Sequence, residues 1–171
     1  LAIMQTEQII SPQHYEGIGK VIVAWARLEA HMLQSIRAIL GLSATQVFVI
    51  FWQMGYRDRS QKLRMIAKTK LSSIDKKEFE ALLKEMDKAY GIRNIVAHFV
   101  WHSGSIANAI TPLDIKIGNG KIRTTKDRHK TPRERDFTSV RFQEEAAKIS
   151  DLADRFKTFS IHHFGAEFLH D

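Results

Sequence analysis

Apolar residues three and four positions apart recur over three long stretches, and that rhythm commits most of the chain to amphipathic helices. The first stripe is Ile18, Val21, Trp25, Leu28, Met32, Ile36 and Ile39. It opens after Ser11-Pro12, a capping residue followed by proline at the first helical position, and Gly41 ends it. The second stripe is Phe79, Leu82, Leu83, Met86 and Tyr90, expected to start at Asp75 with Glu78 completing a capping-box variant. The third is Phe142, Ala146, Ile149, Leu152, Phe156, Phe159 and His163, on a helix predicted over Ser139 to Phe164.

Shorter segments fill the gap between the first two stripes. A helix opens at Ser43 with Val47, Ile50, Phe51 and Met54, apolar nearly all round, so it is either buried or at a subunit contact. Gly55 breaks it. A polar helix follows from about Arg57 to Leu71, with Leu63, Ile66 and Ala67 inward; its Arg57, Arg59, Lys62, Arg64, Lys68 and Lys70 read as a solvated face. Glu29 and His31 read as flank positions beside the Trp25 stripe. Gly17 and Gly19 weaken the first turns of their helix and leave room for close approach of another chain segment.

From Ser103 to Asp136 the rhythm stops. Pro112, Gly118-Asn119-Gly120 and Pro132 punctuate the stretch, and β-branched residues at 109–117 and 121–126 flank the Gly-Asn-Gly turn as a small hairpin. The expected architecture is therefore all-α, a four- to five-helix bundle in a single domain over 1–171, with the hairpin inserted at about 103–136 before the last helix.

Composition narrows the function classes. With 171 residues the chain is long enough for one domain with a sizeable core. It has no cysteine, hence no disulfide and no thiolate metal site. The longest purely apolar run, Val47 to Trp52, is far too short to span a bilayer, and no leader pattern opens the sequence. These features predict a cytoplasmic protein with no membrane partner. The net charge is +7, and from Asp114 to Arg135 eight Lys or Arg face three acids. Such a basic segment suits a polyanionic partner, with Lys121, Arg123, Arg128, Arg133 and Arg135 placed to track a phosphate backbone; standing alone it would equally suit a solvated loop.

Against that background one hexapeptide stands out. Arg93-Asn94-Ile95-Val96-Ala97-His98 sets a guanidinium, an amide and an imidazole among apolar neighbours near the end of the second stripe, and such groups are rarely buried without partners. At about 100° per residue, Asn94 and His98 share a face, whereas Arg93 and His98 lie about 140° and about 7.5 Å apart. A single helix is thus not expected to aim both at one atom. Two antiparallel copies across a two-fold axis would do so, which predicts a homodimer with a symmetric cleft. Arginine is a fixed planar phosphate binder and histidine titrates near neutrality. Together they suit phosphodiester chemistry without a metal, His98 as general acid or base and Arg93 holding the phosphoryl oxygens. The alternative is structural, with Arg93 pairing an acid and His98 hydrogen-bonded in a core. His98 and His102 also stand four apart, a spacing zinc ligands use, but no third ligand of matching pattern accompanies them.

The hexapeptide resembles the signature of the HEPN domain family: arginine, a polar residue, then histidine, on a helix of an all-α bundle. Many members are metal-independent ribonucleases that act as dimers, including toxins of toxin–antitoxin and phage-defence systems. The resemblance implies Arg93 and His98 as the catalytic pair, Asn94 as the residue that orients them, and products with 2′,3′-cyclic phosphate and 5′-hydroxyl ends. It further implies RNA as substrate, no cofactor or metal, and a possible antitoxin or regulatory protein as partner. Two positions depart from the pattern. Val100 stands where one subgroup has a modifiable tyrosine, which puts regulation of that kind in doubt, and Phe99 stands where relatives often have a small residue. A HEPN-like dimer that binds RNA or a protein without cleaving is the competing expectation.

Overall fold

A computed structural model describes residues 9–118, 121–125 and 135–168. Five helices occur among them: α1 (Pro12–Leu40), α2 (Ala44–Phe51), α3 (Tyr56–Ala67), α4 (Ser73–His98) and α5 (Ser139–Phe164). Four strands stand between α4 and α5: β1 (Val100–Ser103), β2 (Ala109–Gly118), β3 (Lys121–Thr125) and β4 (Phe137–Thr138). The chain is thus mostly helical, with a small antiparallel sheet ahead of the last helix, as the sequence predicts. No single helix among the described residues is long and apolar enough to cross a membrane; α1 and α2 pass that test only as a pair, bent by 114°.

Local chemistry sets the helix ends. Gly41 adopts φ +64°, and Gly41 N–H and Leu42 N–H donate to the carbonyls of Ala38 and Arg37 (3.4 and 3.1 Å), which closes α1 in a Schellman motif. Ser43 then caps α2: its hydroxyl accepts from Gln46 N–H, while the Gln46 side chain accepts from Ser43 N–H. The start of α4 differs from expectation, since Ser72 takes the cap position instead of Asp75. Its hydroxyl accepts from Asp75 N–H at 3.3 Å and donates to the Asp75 carboxylate at 2.7 Å. A serine serves as cap with an acid inside the first turn, where the helix dipole favours negative charge.

The chain forms two compact units. One comprises Leu1–Ile22 and Ile92–Ala146, the other Val23–Gly91 and Ala147–Asp171. In the second, Trp25, Leu28, Met32 and Ile36 of α1 are buried, as are Leu63 of α3, Phe79, Leu83 and Met86 of α4, and Ile149, Leu152, Phe156 and Phe159 of α5. Tyr56 stacks on Tyr90 at 4.5 Å and meets Trp25 edge-on at 5.1 Å.

Two expectations fail in this unit. Arg59 is buried, not solvated, and pairs with Glu29. His31 is buried as well, its Nδ1–H donating to the Ala153 carbonyl at 3.0 Å. Both partners are remote in sequence, so periodicity within one helix gives no sign of them. Arg64 also leaves the solvated face, pairing with Glu80 and Asp87 at 3.3 and 2.8 Å, while Arg57, Lys62, Lys68 and Lys70 are exposed. Tyr56 donates its hydroxyl to Asp87 at 2.9 Å, and burial reinforced by that carboxylate pushes the phenol pKa well above its ordinary value.

The other unit is built on the sheet. β2 pairs antiparallel with β3, with Gly118 opposite Lys121, so the hairpin backbone lies where the sequence places it. β2 also pairs with β1 (Val100 opposite Leu113) and with β4 (Ile110 opposite Phe137). A lone hairpin is marginal in water; here Ile110, Phe137 and Phe142 are buried, and Phe142 meets Trp101 and Phe137 at 5.5 and 5.1 Å. Buried His14 on α1 accepts at Nδ1 from Ser11 N–H, so its Nε2–H donates to the Asn108 carbonyl at 3.2 Å, which anchors the loop before β2.

Two glycines of α1 give opposite predictions. A Cβ on Gly17 would lie 2.5 Å from Phe142 Cβ, whereas one on Gly19 would meet nothing within 4 Å. Gly17→Ala is expected to destabilise by roughly 1–3 kcal/mol through overpacking. Gly19→Ala is expected to stabilise by about 0.5–1 kcal/mol, because a helical glycine gives up more backbone entropy than alanine. Urea unfolding midpoints that move in opposite directions would bear this out.

Candidate functional site

The end of α4 creates the site. Phe99 N–H still donates to the Ile95 carbonyl at 3.2 Å, but His98 is the last helical residue and Val100–Ser103 leave as β1. The change is driven from outside the helix: β-branched Val100 and aromatic Trp101 suit a strand, and their partners Leu113 and Pro112 lie on β2. Only Val96 of this turn is buried; Arg93 and Asn94 are half-buried and His98 is exposed. His102 consequently lies on a strand, its Nδ1 2.8 Å from the Ser103 carbonyl oxygen, so it shares no helix face with His98.

Arg93, Asn94 and His98 come together within one chain. Arg93 Nη1 lies 3.0 Å from His98 Nε2 and 3.1 Å from Asn94 Oδ1. The two side chains thus meet on one helix although their Cα positions diverge by about 140°. The arginine side chain, with three methylenes and a planar head, spans the turn and a third that separates the two Cα atoms.

The contact also fixes the chemistry of the ring. A guanidinium has no acceptor, so Arg93 donates and His98 Nε2 accepts, which places the imidazole proton on Nδ1. In this geometry the Nε2 lone pair is taken up by the Arg93 N–H, so Nε2 acts as a base only once that hydrogen bond is broken. The two Nη1 hydrogens serve Asn94 and His98. That leaves the Nε–Nη2 edge, which suits bidentate contact with a phosphate, without a further partner among the described residues.

Of the predicted phosphate-tracking residues, only Arg135 has a described side chain. Lys121 and Arg123 lie on β3, with only their backbone described, and Arg128 and Arg133 fall outside the described residues. Arg135 is half-buried, its Nε shielded from solvent and without a hydrogen-bond partner. The structure therefore brings together Arg93, Asn94 and His98. Among the described residues no group of three or more His, Cys, Asp or Glu side chains could hold a metal ion.

Sequence reasoning overlooked Asp136. This buried carboxylate accepts from Ser105 N–H (2.8 Å), Ser105 Oγ (2.6 Å) and Ile106 N–H (3.2 Å), and from the Thr111 hydroxyl. Burial raises its pKa, but these hydrogen bonds outweigh burial and hold it below the ordinary aspartate value. Next to it, the Arg141 guanidinium donates to the Asp136 carbonyl and lies 4.0 Å above the Phe137 ring. In the sequence Asp136 is only an acid after a basic run, with donors 25 to 31 positions away.

Neither family models nor curated proteins nor solved structures match this chain.

Proposed function

We propose that the protein is a metal-independent endoribonuclease of HEPN type, possessing the chemistry of a toxin or phage-defence effector. The observation that carries this reading is the 3.0 Å contact between Arg93 and His98, with Asn94 on the same guanidinium nitrogen. It supports a division of labour. As a substrate phosphate draws the Arg93 guanidinium off the ring, His98 Nε2 is freed to take the proton of a ribose 2′-hydroxyl, the resulting alkoxide attacks the adjacent phosphorus, and the 5′-oxygen of the next nucleotide leaves. The Nε–Nη2 edge of Arg93 neutralises charge on the crowded phosphorus oxygens, and Asn94 keeps the guanidinium in register. The imidazolium so formed has no lone pair for Arg93 and protonates the leaving oxygen.

The remaining parts of the proposal are an RNA substrate carried along the basic segment, a homodimer bearing two such sites, an antitoxin or regulatory protein as controlling partner, and action in the cytoplasm. The test is to incubate purified protein with RNA in excess chelator and identify the new ends. Products with 2′,3′-cyclic phosphate and 5′-hydroxyl ends are expected. RNA that is retained in a gel shift but stays intact would favour the second reading, a non-catalytic binding dimer, which the exposed setting of His98 also accommodates.

A further inference from the structure

A cleft of about 440 Å³ opens between α3 and α4, walled by Tyr56, Arg57, Ser60 and Arg64 on one side and by Asp87 and Tyr90 on the other. Its size is usual for a small-molecule site. Ser60 is 1% exposed, and its hydroxyl stands beside the Tyr56 phenol but outside hydrogen-bonding geometry, with no partner among the described residues. A buried hydroxyl in that position has given up water without a replacement, and a ligand that bonds to it restores the loss. Trp25 and Tyr56 are buried within their ring cluster, whereas Tyr90 is half-buried and lines the cleft, so it is the ring that a planar guest can reach.

Charge and hydrogen-bonding capacity select the guest. Two arginines against one carboxylate turn away a cation. Arg64 is taken by Glu80 and Asp87, but Arg57 is exposed and pairs with no described residue. It stands in the first turn of α3, whose leading N–H groups have no side-chain cap, and Asp58 of that turn does not line the cleft. A free guanidinium at a helix start is a seat for phosphate. Asp87 sets the other end. One of its oxygens accepts from Tyr56 at 2.9 Å and the other from Arg64 at 2.8 Å. Each carboxylate oxygen has two lone pairs, so one remains on each. That fork matches two adjacent donors on a planar edge, which among the bases is the N1–H and N2–H pair of guanine; the next atom along, O6, would accept from the Ser60 hydroxyl. Adenine sets a lone pair beside its amino group and would face the carboxylate with it. We propose that this cleft is a guanine-nucleotide site, with the base on Tyr90, its edge on Asp87 and Ser60, and its phosphate on Arg57. The site is independent of the ribonuclease reading, since its occupancy is measured without cleavage.

Isothermal titration of the full chain with GMP, AMP, guanosine and inorganic phosphate provides the test. GMP is expected to bind at least tenfold more tightly than AMP, because a polar edge built for one base leaves its groups unpaired with another. Asp87→Asn is expected to abolish that preference, and Arg57→Ala to bring GMP down to the affinity of guanosine. Ser60→Ala removes a hydroxyl that holds nothing in the free protein, so it is expected to weaken GMP about tenfold with an unchanged circular dichroism spectrum. Arg93→Ala is expected to bind GMP as wild type does, which separates this site from the phosphate edge near His98. Titrating GMP-loaded His98→Ala protein, so that no strand is cut, with a short RNA holding one unpaired guanosine separates two sources of the base: displacement assigns it to a strand, and retained GMP to a free nucleotide. Overturning results are no heat of binding with GMP up to about 1 mM, equal affinity for GMP and AMP, phosphate binding as tightly as GMP, a Ser60→Ala protein with wild-type affinity, or loss of GMP binding in Arg93→Ala.

Discussion

Replacing His98 with alanine is expected to lower RNA cleavage by about 10³-fold, within the range a positioned general base or acid contributes. The loss should fall on kcat more than on KM, since an exposed imidazole adds little to ground-state binding. Arg93→Lys is informative beside it. Lysine keeps the charge but loses the planar fork that serves Asn94, His98 and a phosphate together. A loss of about 10²-fold is expected, despite the retained charge. The double variant should fall little below His98→Ala, because residues that act as a unit do not lose activity additively. Single-turnover cleavage of a short RNA, with folding verified by circular dichroism, measures all three.

The second large effect is on stability. Asp136→Asn is expected to destabilise the protein by roughly 3 kcal/mol, because an amide cannot accept from all of Ser105, Ile106 and Thr111 and leaves buried donors unpaired. The pH dependence follows from the direction of the pKa. The native carboxyl lies below its ordinary value, so folding holds the charged form more tightly than the unfolded chain does. Its contribution is present above the unfolded aspartate pKa, about 4, and is lost as pH falls through the lower native value. Urea unfolding at pH 7 and at pH 3 tests both points. The gap between wild type and Asp136→Asn should be narrower at the second than at the first. An equal gap at both would assign the stabilisation to packing instead.

What the sequence discloses about this molecule is largely what is local. The Trp25 stripe, the closure at Gly41 and the helix start at Ser43 depend on residues within a turn or two, and each was readable. Contacts that depend on distant segments were not. Val100–Ser103 continue an apolar pattern and read as helix, and only pairing with Ile110–Leu113 makes them a strand. Arg59 belongs by spacing with the lysines of α3, but Glu29 on α1 takes it out of solvent. At the site itself the residues were legible from their chemistry while their meeting was not. Angles between Cα positions separated Arg93 from His98, and the length of the arginine arm closes the gap.

One substrate pair addresses the central proposal, that His98 activates the ribose 2′-hydroxyl without a metal, most directly. An RNA oligonucleotide that the protein cuts at one position is prepared again with a single 2′-deoxy substitution there, and both are incubated in excess chelator with wild type and with His98→Ala. The account predicts that wild type cleaves the all-ribose strand and leaves the deoxy position intact, while His98→Ala leaves both strands essentially whole. Cleavage at the deoxy position, or equal cleavage by the two proteins, would contradict it.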